Sequence, residues 1–345
     1  MSTPRVSVVI LNWNTCNLLQ QFLPSVIENS NIPNVEIVLA DNGSTDDSVA
    51  WVKEHFPSIR LIELSENFGF AEGYNRALSL IDSELSVMLN SDVAPGKDWL
   101  LPLIQTMETF PDTAACVPKI MSYNNPEMFE YAGATGGFID RLGYTFCRGR
   151  IFNISEKDEG QYDEPGQLFW GSGSALMVRT RLFRETGGLD HDFFAHMEEI
   201  DWCWRIKNRG YQIRYVPTSI IYHLGGGTLS YRNPRKTFLN FRNNMLLILK
   251  NKPGLAGWAT IAARFFLDYI AMVKFFFSQE YDFARAVPKA HFSFLSRFGY
   301  YLKKRRQLMP LVTKRRHAET YKGSIVIDFF LLQRKHFSRI KFKPE

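Results

Sequence analysis

Cysteine is scarce in this chain, and the few cysteines lie far apart. The 345 residues contain four, at positions 16, 116, 147 and 203, and none of them belongs to a Cys-x-x-Cys or Cys/His ligand spacing. A disulfide framework and a zinc ribbon are therefore excluded. Reduced thiols in a cytoplasmic setting are the expected state.

The chain also lacks a segment typical of a leader or of a membrane span. The N-terminal "MSTPRVSVVILNWN" has only a short apolar run, which predicts a first strand and no signal peptide. The longest apolar stretch, "GWATIAARFFLDYIAMVKFFFS", is interrupted by Arg264, Asp268 and Lys274. These charges predict a segment that lies on a membrane or packs in a core and does not cross a bilayer.

Acidic residues are scarce in the last part of the chain. Residues 285–345 carry 16 Lys or Arg against 3 Asp or Glu, a net charge of +13, so the whole-chain charge of +6 leaves −7 for residues 1–284. A basic tail can bind an anionic membrane, bind nucleic acid or form a solvated face. The aromatic and aliphatic residues of "YYLKKRRQLMPLVTKRR" favour the membrane surface. No nucleic-acid motif accompanies the charge, so we expect no nucleic-acid partner.

The rest of the sequence alternates strands and helices. Strands are predicted at "VSVVIL", "VEIVLA", "IRLIEL" and "LSVMLN", with helices between them, the second helix capped at Ser44 or Thr45. The alternation predicts an α/β fold with a doubly wound, mostly parallel sheet. Residues 122–168 are expected to be loop-rich. We expect a catalytic domain over residues 1–250 and an aromatic, basic, helical segment over residues 251–345.

Polar side chains cluster after each of the first four strands, at the sheet edge where doubly wound sheets bind ligands. Short amides and carboxylates there can hydrogen-bond a base and a ribose, and the small residues of "ENFGFAEGYNRA" let a helix N-terminus approach a phosphate. Turn formation explains any one of these residues, but four coincident clusters favour a nucleotide site. The residues are Asn12, Asn14, Asp41, Asn42, Asn67, Gly69, Asn90, Ser91 and Asp92.

The glycines of "NFGFAEGYN" do not support two familiar nucleotide motifs. They do not match G-x-G-x-x-G, and no Walker lysine follows them. A dehydrogenase and a P-loop enzyme are therefore disfavoured.

A second acidic centre lies in "FFAHMEEIDWCWR". On a helix, Glu198, Asp201 and Arg205 share one face, and Glu199 lies about 100° around the axis. A carboxylate at a helix start can act as a general base that removes a proton from an acceptor hydroxyl. The alternative is that the acids complement the helix dipole and that Asp201 and Arg205 form an i,i+4 ion pair.

His223 ends the strand predicted in "SIIYHLGGG". A lone histidine more often has a structural role than binds a metal. His223 becomes a candidate metal ligand only if the fold brings it close to Asp92. Four basic residues follow His223. They could neutralise a diphosphate or a lipid phosphate, or they could simply lie on the solvated surface. They are Arg232, Arg235, Lys236 and Arg242.

Seven ordered motifs over about residues 5–250 resemble family 2 glycosyltransferases of the GT-A fold, especially their rhamnosyltransferase-like branch. The motifs are "VSVVILNWN", "VLADNGSTDDS", "ENFGFAEGYNRAL", "LNSDV", "GSGSALMVRTRLFRETGGLD", "FFAHMEEIDWCWRIKNRGYQIRYVP" and "IYHLGGGT". The resemblance implies an inverting enzyme that moves a sugar from a nucleotide-diphosphate donor, with dTDP-rhamnose as one candidate, to a lipid-linked or polysaccharide acceptor. It implies a role in bacterial cell-surface glycan synthesis, at the inner face of the cell membrane.

The resemblance also implies roles for individual residues. Glu199 would be the base, with Glu198 or Asp201 as alternatives, and Asp92 with His223 would approach Mg²⁺ or Mn²⁺. The implied donor-binding residues are Asn12, Asn14, Asp41, Asn67, Gly69, Asn75, Asn90 and Arg205. Asn90 departs from the usual pattern of two carboxylates, so Asp92 is expected to carry the metal contact mostly alone.

Two other functions remain open at this point. A sugar nucleotidyltransferase also uses a nucleotide-binding α/β sheet, but it would need a basic, glycine-rich loop after the first strand, and "LNWNTCN" has none. A catalytically silent, membrane-associated scaffold with the same fold is the other alternative.

Overall fold

A nine-stranded mixed sheet forms the centre of the protein. The computed structural model describes residues 5–130, 134, 136–225 and 233–342. The strands are β1 (Val6–Asn12), β2 (Val35–Asp41), β3 (Arg60–Glu63), β4 (Leu85–Asn90), β5 (Val93–Pro95), β6 (Thr113–Ser122), β7 (Gly137–Asp140), β8 (Thr145–Cys147), β9 (Arg150–Ile151), β10 (Ile154–Ser155), β11 (Gly166–Leu168), β12 (Ala175–Arg179), β13 (Gln212–His223) and β14 (Thr320–Tyr321).

The strand order in this sheet is β11-β13-β6-β12-β4-β1-β2-β3, and β5 pairs with β13. Strands β3, β2, β1 and β4 are parallel neighbours, as are β6 and β13, whereas β12 runs antiparallel between β4 and β6. The apolar run of β1 is buried along nearly its whole length, as expected for a strand covered on both faces. The predicted doubly wound, mostly parallel α/β sheet is confirmed.

Helices cover both faces of this sheet and build the C-terminal region. They are α1 (Cys16–Asn29), α2 (Ser48–His55), α3 (Gly69–Ser79), α4 (Leu100–Thr109), α5 (Thr180–Glu185), α6 (Glu198–Asn208), α7 (Pro234–Asn251), α8 (Gly254–Phe277), α9 (Tyr281–Ser296) and α10 (Phe298–Leu308). Helix α2 begins later than predicted. The backbone amides of Ser44 and Thr45 bind the side chains of Asp41 and Asn14 instead, which keeps these residues in a loop.

The segment predicted to be loop-rich forms a second sheet. Its order is β10-β9-β8-β7-β14, so four strands come from residues 137–155 and the fifth from the C-terminal segment. Strands of two to four residues between turns are too short to show an alternating pattern, which is why the sequence did not reveal them. The predicted boundary near residue 250 falls at the end of α7, but one hydrophobic cluster includes residues from both sides of it, such as Phe138 and Phe337.

In the part of the chain that the structure describes, no helix combines the length and the apolar character that crossing a membrane requires. The charges that interrupt α8 have defined partners. Arg264 and Asp268 are buried and paired with each other at 3.1 Å, and Asp268 also accepts a hydrogen bond from His291 at 3.0 Å. The four cysteines, all within the described ranges, are free thiols.

Candidate active site

The candidate site lies at the carboxyl ends of β1 and β4, where the strand order reverses. β1 pairs with β2 on one side and with β4 on the other, so the loops that follow β1 and β4 leave the sheet next to each other. Such a switch point forms a crevice for ligands in open α/β sheets. The hydroxyl groups of Thr15 and Ser91 lie 3.3 Å apart and connect the two loops.

Asn12 and Asp41 form the buried base of this crevice. The Asn12 amide donates to Asp41 Oδ1 at 2.9 Å and to Ser44 Oγ at 3.0 Å, and its Oδ1 accepts from Thr15 at 2.6 Å. Asp41 Oδ2 accepts from the Ser44 backbone at 2.9 Å. Asn12 therefore holds Asp41 and the β2–α2 loop in place, because all its side-chain polar atoms have protein partners.

Asn14 ties the loop after β1 to the loop after β2. Its backbone adopts a φ of 52°, a left-handed conformation that asparagine tolerates better than most residues. Its Oδ1 accepts from the Thr45 amide at 2.7 Å and from the Asp46 amide at 3.3 Å. The exposed position of Asn14 at this junction places it at the rim of the crevice.

The loops after β2 and β3 also meet closely. A Cβ atom at Gly43, whose φ is 73°, would lie 2.6 Å from the Glu66 backbone, so only glycine fits there. This approach lets the Asn42 amide donate to Asn67 Oδ1 at 3.0 Å and to the Gly69 carbonyl at 3.1 Å. The predicted clusters at the strand ends thus form one connected network.

Asn75 and Arg205 were predicted to bind the donor, but their contacts do not support that role. The Asn75 side chain donates to the Leu189 carbonyl and accepts from the Leu189 amide, both at 2.8 Å. The buried Arg205 guanidinium binds the Asp201 carboxylate and the carbonyls of Thr186 and Gly188. Both side chains hold the segment before α6, so we interpret them as structural.

Asp92 and His223 meet at the other end of the crevice. His223 is opposite Val93 in the antiparallel pairing of β13 with β5, which brings its ring to Asp92. Its Nε2 lies 3.1 Å from Asp92 Oδ1, and its Nδ1 lies 3.4 Å from Glu130. The Asn90 amide is 3.5 Å from Nε2. Burial alone would lower the pKa of His223, but hydrogen bonds and Coulomb attraction from Asp92 and Glu130 raise it to about 10.

The Asp92–His223 pair forms a hydrogen bond, and a divalent cation that displaced the Nε2 proton would find both atoms at the spacing of neighbouring ligands. Two ligands at right angles in an octahedral shell with bonds of about 2.1 Å are separated by about 3 Å, close to the 3.1 Å between Oδ1 and Nε2. In the described ranges, no group of three or more His, Cys, Asp or Glu side chains forms a metal cage. The residues therefore fit a cation held by two protein ligands, with waters and diphosphate oxygens completing its shell.

Two carboxyl groups at the start of α6 form the second centre. Glu198 is buried, Glu199 is half-buried, and Oε2 of each has no hydrogen-bond partner among the described residues. Burial raises the pKa of Glu199 to about 7. Burial and the neighbouring Glu199 charge raise the pKa of Glu198 well above its usual value. The Oε2 atom of Glu199 is itself buried, although the residue as a whole is partly accessible. A carboxyl with a pKa near neutrality suits a general base.

Asp201 belongs to a buried ion network, although it was an alternative candidate for the base. Its Oδ2 accepts from Arg205 and from Lys250, both at 2.9 Å, and its Oδ1 accepts from Asn251 at 2.7 Å. The carboxylate is fully buried. These contacts leave Asp201 no free oxygen for a substrate, and they match the i,i+4 ion pair that the sequence left open.

The backbone just before α6 has a strained conformation, and a side chain on α7 stabilises it. Phe194, His196 and Met197 have φ angles of 65°, 70° and 74°, an uncommon conformation for residues other than glycine. The Asn243 amide on α7 donates to the carbonyls of Phe193, Ala195 and His196 at 3.0, 2.9 and 2.8 Å. Asn243 therefore fixes the turn that aims the first residues of α6.

Residues 171–174, "GSGS", connect the two centres. A Cβ atom at Gly173 would lie 4.0 Å from the Glu199 Cβ and 3.2 Å from the Phe70 ring. The next residue, Ser174, has its hydroxyl 3.5 Å from His223 Nδ1. Glu199 and the Asp92–His223 pair therefore face neighbouring residues of one short segment.

The predicted basic residues separate into different roles. Arg242 donates to the carbonyls of Asp192 and Phe193 at 2.9 Å and is structural. Lys236 is partly buried, and its pKa is lowered by burial and by Arg150, against an opposing effect of Glu130. It therefore lies near the site. Arg235 stacks over the exposed Phe194 ring at 5.0 Å. Arg232 lies outside the described residues.

Sequence reasoning missed several residues of this site. Glu130 lies in the segment taken for a loop, Ser174 lies in a motif but was given no role, and Asn243 belongs to no motif. Only the "GSGS" of the resemblance pointed to Ser174. Glu130 and Asn243 had no sequence signal, because their roles arise from contacts with His223 and with the backbone of residues 193–196.

Comparison with solved structures shows a likeness of fold. The chain aligns with GalNAc-T7, solved with UDP, GalNAc and Mn²⁺, with a TM-score of 0.57 and 17% identity, covering 71% of this chain and 48% of that one. It aligns with the mannosyltransferase PcManGT from Pyrobaculum calidifontis, solved with GDP-Man and Mn²⁺, with a TM-score of 0.52 and 16% identity, covering 86% and 88%. The structural neighbours are GT-A glycosyltransferases.

Sequence comparison gives the family. The chain is 26% identical over 239 residues to the N-acetylglucosaminyl-diphospho-decaprenol L-rhamnosyltransferase of Mycobacterium tuberculosis, covering 64% of this chain and 76% of that protein. It is 24% identical over 233 residues to the O-antigen biosynthesis protein RfbC of Myxococcus xanthus, covering 64% of this chain and 17% of that protein. The profile of "Glycosyl transferase family 2" matches residues 7–186, just over half of the chain. The chain therefore belongs to glycosyltransferase family 2.

Proposed function

We propose that the enzyme transfers a sugar, with inversion, from a nucleotide-diphosphate donor to a polyprenyl-diphosphate-linked or polysaccharide acceptor in bacterial cell-surface glycan synthesis. The observation that carries this proposal is the position of Glu199. One of its carboxyl oxygens has no partner among the described residues, and it lies near the same four-residue segment as the Asp92–His223 pair. An in-line displacement needs a base on one side of the sugar and charge neutralisation on the other. These two centres supply both.

On the donor side, Asp41, Asn14 and Asn67 would contact the base and ribose, because they line the strand ends at the switch point. Asn12 would act by fixing Asp41. Gly69 opens α3 with a φ of 77°, a conformation that favours glycine, and an added Cβ would touch Phe194 at 3.7 Å from its carbonyl oxygen. A phosphate can approach a helix N-terminus of this kind.

Asp92 and His223 would hold a divalent cation, with Asn90 contributing at most a neutral oxygen. When bound, such a cation neutralises the leaving diphosphate. Imidazole is a better ligand for Mn²⁺ than for Mg²⁺, so the donor set favours Mn²⁺. Both solved neighbours contain Mn²⁺, which supports this choice.

On the acceptor side, Glu199 would remove the proton from the attacking hydroxyl as that oxygen bonds to the anomeric carbon. Glu198 would stay protonated beside it, because burial and the charge of Glu199 disfavour a second carboxylate. Lys236 would offer a positive charge to the diphosphate of the donor or of a lipid-linked acceptor.

The mycobacterial relative supports a more specific choice of sugar donor and acceptor. Its name describes transfer of L-rhamnose to a decaprenol-diphosphate-linked N-acetylglucosamine. We infer that a dTDP-rhamnose donor and a polyprenyl-diphosphate acceptor are the first pair to test. Such an acceptor places the enzyme at the cytoplasmic face of the cell membrane.

The test is turnover of purified full-length protein with UDP-, GDP- and dTDP-sugars, with and without Mn²⁺, using a short polyprenyl-diphosphate N-acetylglucosamine as acceptor. We expect turnover of one donor class and loss of at least about 100-fold in Glu199→Gln. Glu185→Gln, an exposed glutamate on α5, is the matched control. Failure to turn over any donor would support the catalytically silent scaffold instead.

A further inference from the structure

Helix α8 has two of its three charged side chains, Arg264 and Asp268, turned inward, and many of its apolar side chains turned outward. Arg264 and Asp268 are 3% and 0% exposed, whereas Leu255, Phe266 and Phe277 are 86%, 68% and 79% exposed. A helix at the surface of a water-soluble protein has the opposite arrangement. The charges that interrupt the apolar stretch in the sequence therefore do not interrupt its outer face.

This outer face is continuous along the whole helix. At about 100° per residue, ten exposed positions fall within about 60° of one line along α8, and the line is about 33 Å long. The exposed Gly254, Ala256 and Lys274 lie about 100° from that line. No charged residue of α8, every residue of which the structure describes, falls in this sector. The face comprises Leu255, Trp258, Ala259, Ala262, Phe266, Tyr269, Ile270, Val273, Phe276 and Phe277. We call it the outer face of α8.

The inner side is fixed by polar contacts, so the orientation of α8 is set by the fold. Arg264 binds Asp268 and Asn244 and stacks over Tyr144 at 3.7 Å, and Asp268 also binds His291 of α9. If α8 rotated to bury its outer face, the buried charges of Arg264 and Asp268 would lose these partners, which is unfavourable. The protein therefore keeps the outer face exposed in the folded chain.

Basic and apolar residues from other segments border the outer face. Lys274 lies 4.4 Å from the Phe330 ring, and the exposed Phe330, Leu331 and Leu332 continue the apolar surface near the C-terminal end of α8. At the other end, Arg306 and Trp258 line the same surface depression. A large apolar strip with tryptophan and tyrosine, bordered by cations, matches the boundary of an anionic lipid bilayer.

We propose that the outer face of α8 lies in the surface of an anionic membrane and is the main membrane contact of this enzyme. The reason for such membrane binding rests on the proposed function, in which the acceptor is lipid-linked. The observations that support it come from α8 and not from the active site. Such a contact also changes the expectation that the basic tail, residues 285–345, holds the protein on the membrane by its charge. Several basic side chains of that tail bind other groups of the protein. Lys304 pairs with Asp190 and Asp192, and Arg305 donates to the carbonyls of Leu249 and Lys252.

The test is sedimentation of the full chain with vesicles of phosphatidylcholine and phosphatidylglycerol. Phe266→Glu/Ile270→Glu should lower the vesicle-bound fraction by about tenfold or more, because each apolar side chain contributes separately to insertion. Glutamate is a good helix former, so α8 should keep its fold, which circular dichroism checks. The control, Leu80→Glu/Leu101→Glu, changes two exposed leucines, one just after α3 and one on α4, and should bind vesicles like the wild type.

Three results would overturn this proposal. The first is unchanged vesicle binding by the α8 variant. The second is complete loss of wild-type binding in 1 M salt, which would assign binding to the basic tail. The third is a wild-type dimer by light scattering that dissociates in the α8 variant without any vesicle binding, which would assign the face to a second copy. Turnover of a water-soluble acceptor is measured in parallel. Absent turnover would contradict the proposed function and leave the vesicle result standing.

Discussion

The Nε2 atom of His223 lies 3.1 Å from Oδ1 of Asp92, although the two residues are 131 positions apart in the chain. Pairing of β13 with β5 creates this contact. In the proposed function, this pair would supply two protein ligands to the cation, with the imidazole in place of the carboxylate that Asn90 lacks.

Asp92→Ala should therefore cost far more activity than Asn90→Ala. We expect a loss of about 100-fold or more for Asp92→Ala and of less than about tenfold for Asn90→Ala, because only Asp92 supplies a charged oxygen to the cation. Steady-state turnover at several Mn²⁺ concentrations measures both, and Asp82→Ala, an exposed aspartate, is the control. Equal and small effects at positions 90 and 92 would mean that the diphosphate lies elsewhere.

Removal of divalent cations should abolish turnover, and added Mn²⁺ should restore it. His223→Ala should raise the Mn²⁺ concentration needed for half-maximal activity by about tenfold or more, because it removes one of two protein ligands. Mn²⁺ binding followed by electron paramagnetic resonance provides a second readout that does not depend on catalysis. Unchanged Mn²⁺ affinity in His223→Ala would contradict the two-ligand site.

Activity should rise with pH through about 7. Burial raises the pKa of Glu199 to about 7, so below that pH the carboxyl is mostly protonated and cannot accept the hydroxyl proton. We expect kcat/KM to fall about tenfold per pH unit on the acid side. A profile of kcat/KM from pH 5.5 to 9 measures this, and Glu199→Asp should keep partial activity with a shifted acid limb. A profile that is flat below pH 7 would exclude Glu199 as the base.

Asp201→Asn should destabilise the fold. The change removes the carboxylate charge that balances the buried Arg205 guanidinium. The same carboxylate binds the buried Lys250 ammonium, which Asp190 also binds. We therefore expect a loss of about 3–5 kcal/mol in the free energy of unfolding. Urea denaturation measures it. Asp82→Asn, on the surface, should change the stability by less than about 0.5 kcal/mol. A fully stable but inactive Asp201→Asn would instead support a direct catalytic role.

Asn243→Asp should lower kcat while leaving the KM for the donor nearly unchanged. The substitution keeps the shape but removes the two N–H groups that hold the carbonyls of Phe193, Ala195 and His196. The strained turn would then relax and misplace Glu199, an effect of about tenfold or more. A rise in the donor KM alone, with kcat intact, would contradict a positioning role for Asn243.

The parallel half of the sheet could be predicted from the sequence because its strands are short, largely apolar runs between polar turns and its helices are periodic. The polar residues at the strand ends followed from the same pattern, since the carboxyl ends of parallel strands share one edge. The acids at the start of α6 were visible because "MEEID" opens a periodic helix. These features are local, and local patterns survive in a single sequence.

Other parts could not be predicted, because they depend on which segments meet. Strands of two to four residues in the second sheet have no period of their own, and β14 comes from a part of the chain about 180 residues away from its partner β7. The sequence could not distinguish a catalytic Asp201 from a structural one. That distinction follows from Lys250 and Asn251, which α7 places against α6.

The family, the parallel sheet and the residue types available for chemistry could be read from the amino-acid sequence, because they depend on local propensity and on motif order. Which of those residues share a site depends on the folded chain. Folding pairs Asp92 with His223, encloses Asp201 and Arg205 in an ion network, and leaves one oxygen of Glu199 with no partner in the described part of the chain. It also decides the direction of each side chain of α8, since burial of Arg264 and Asp268 against α7 and α9 turns the apolar residues outward.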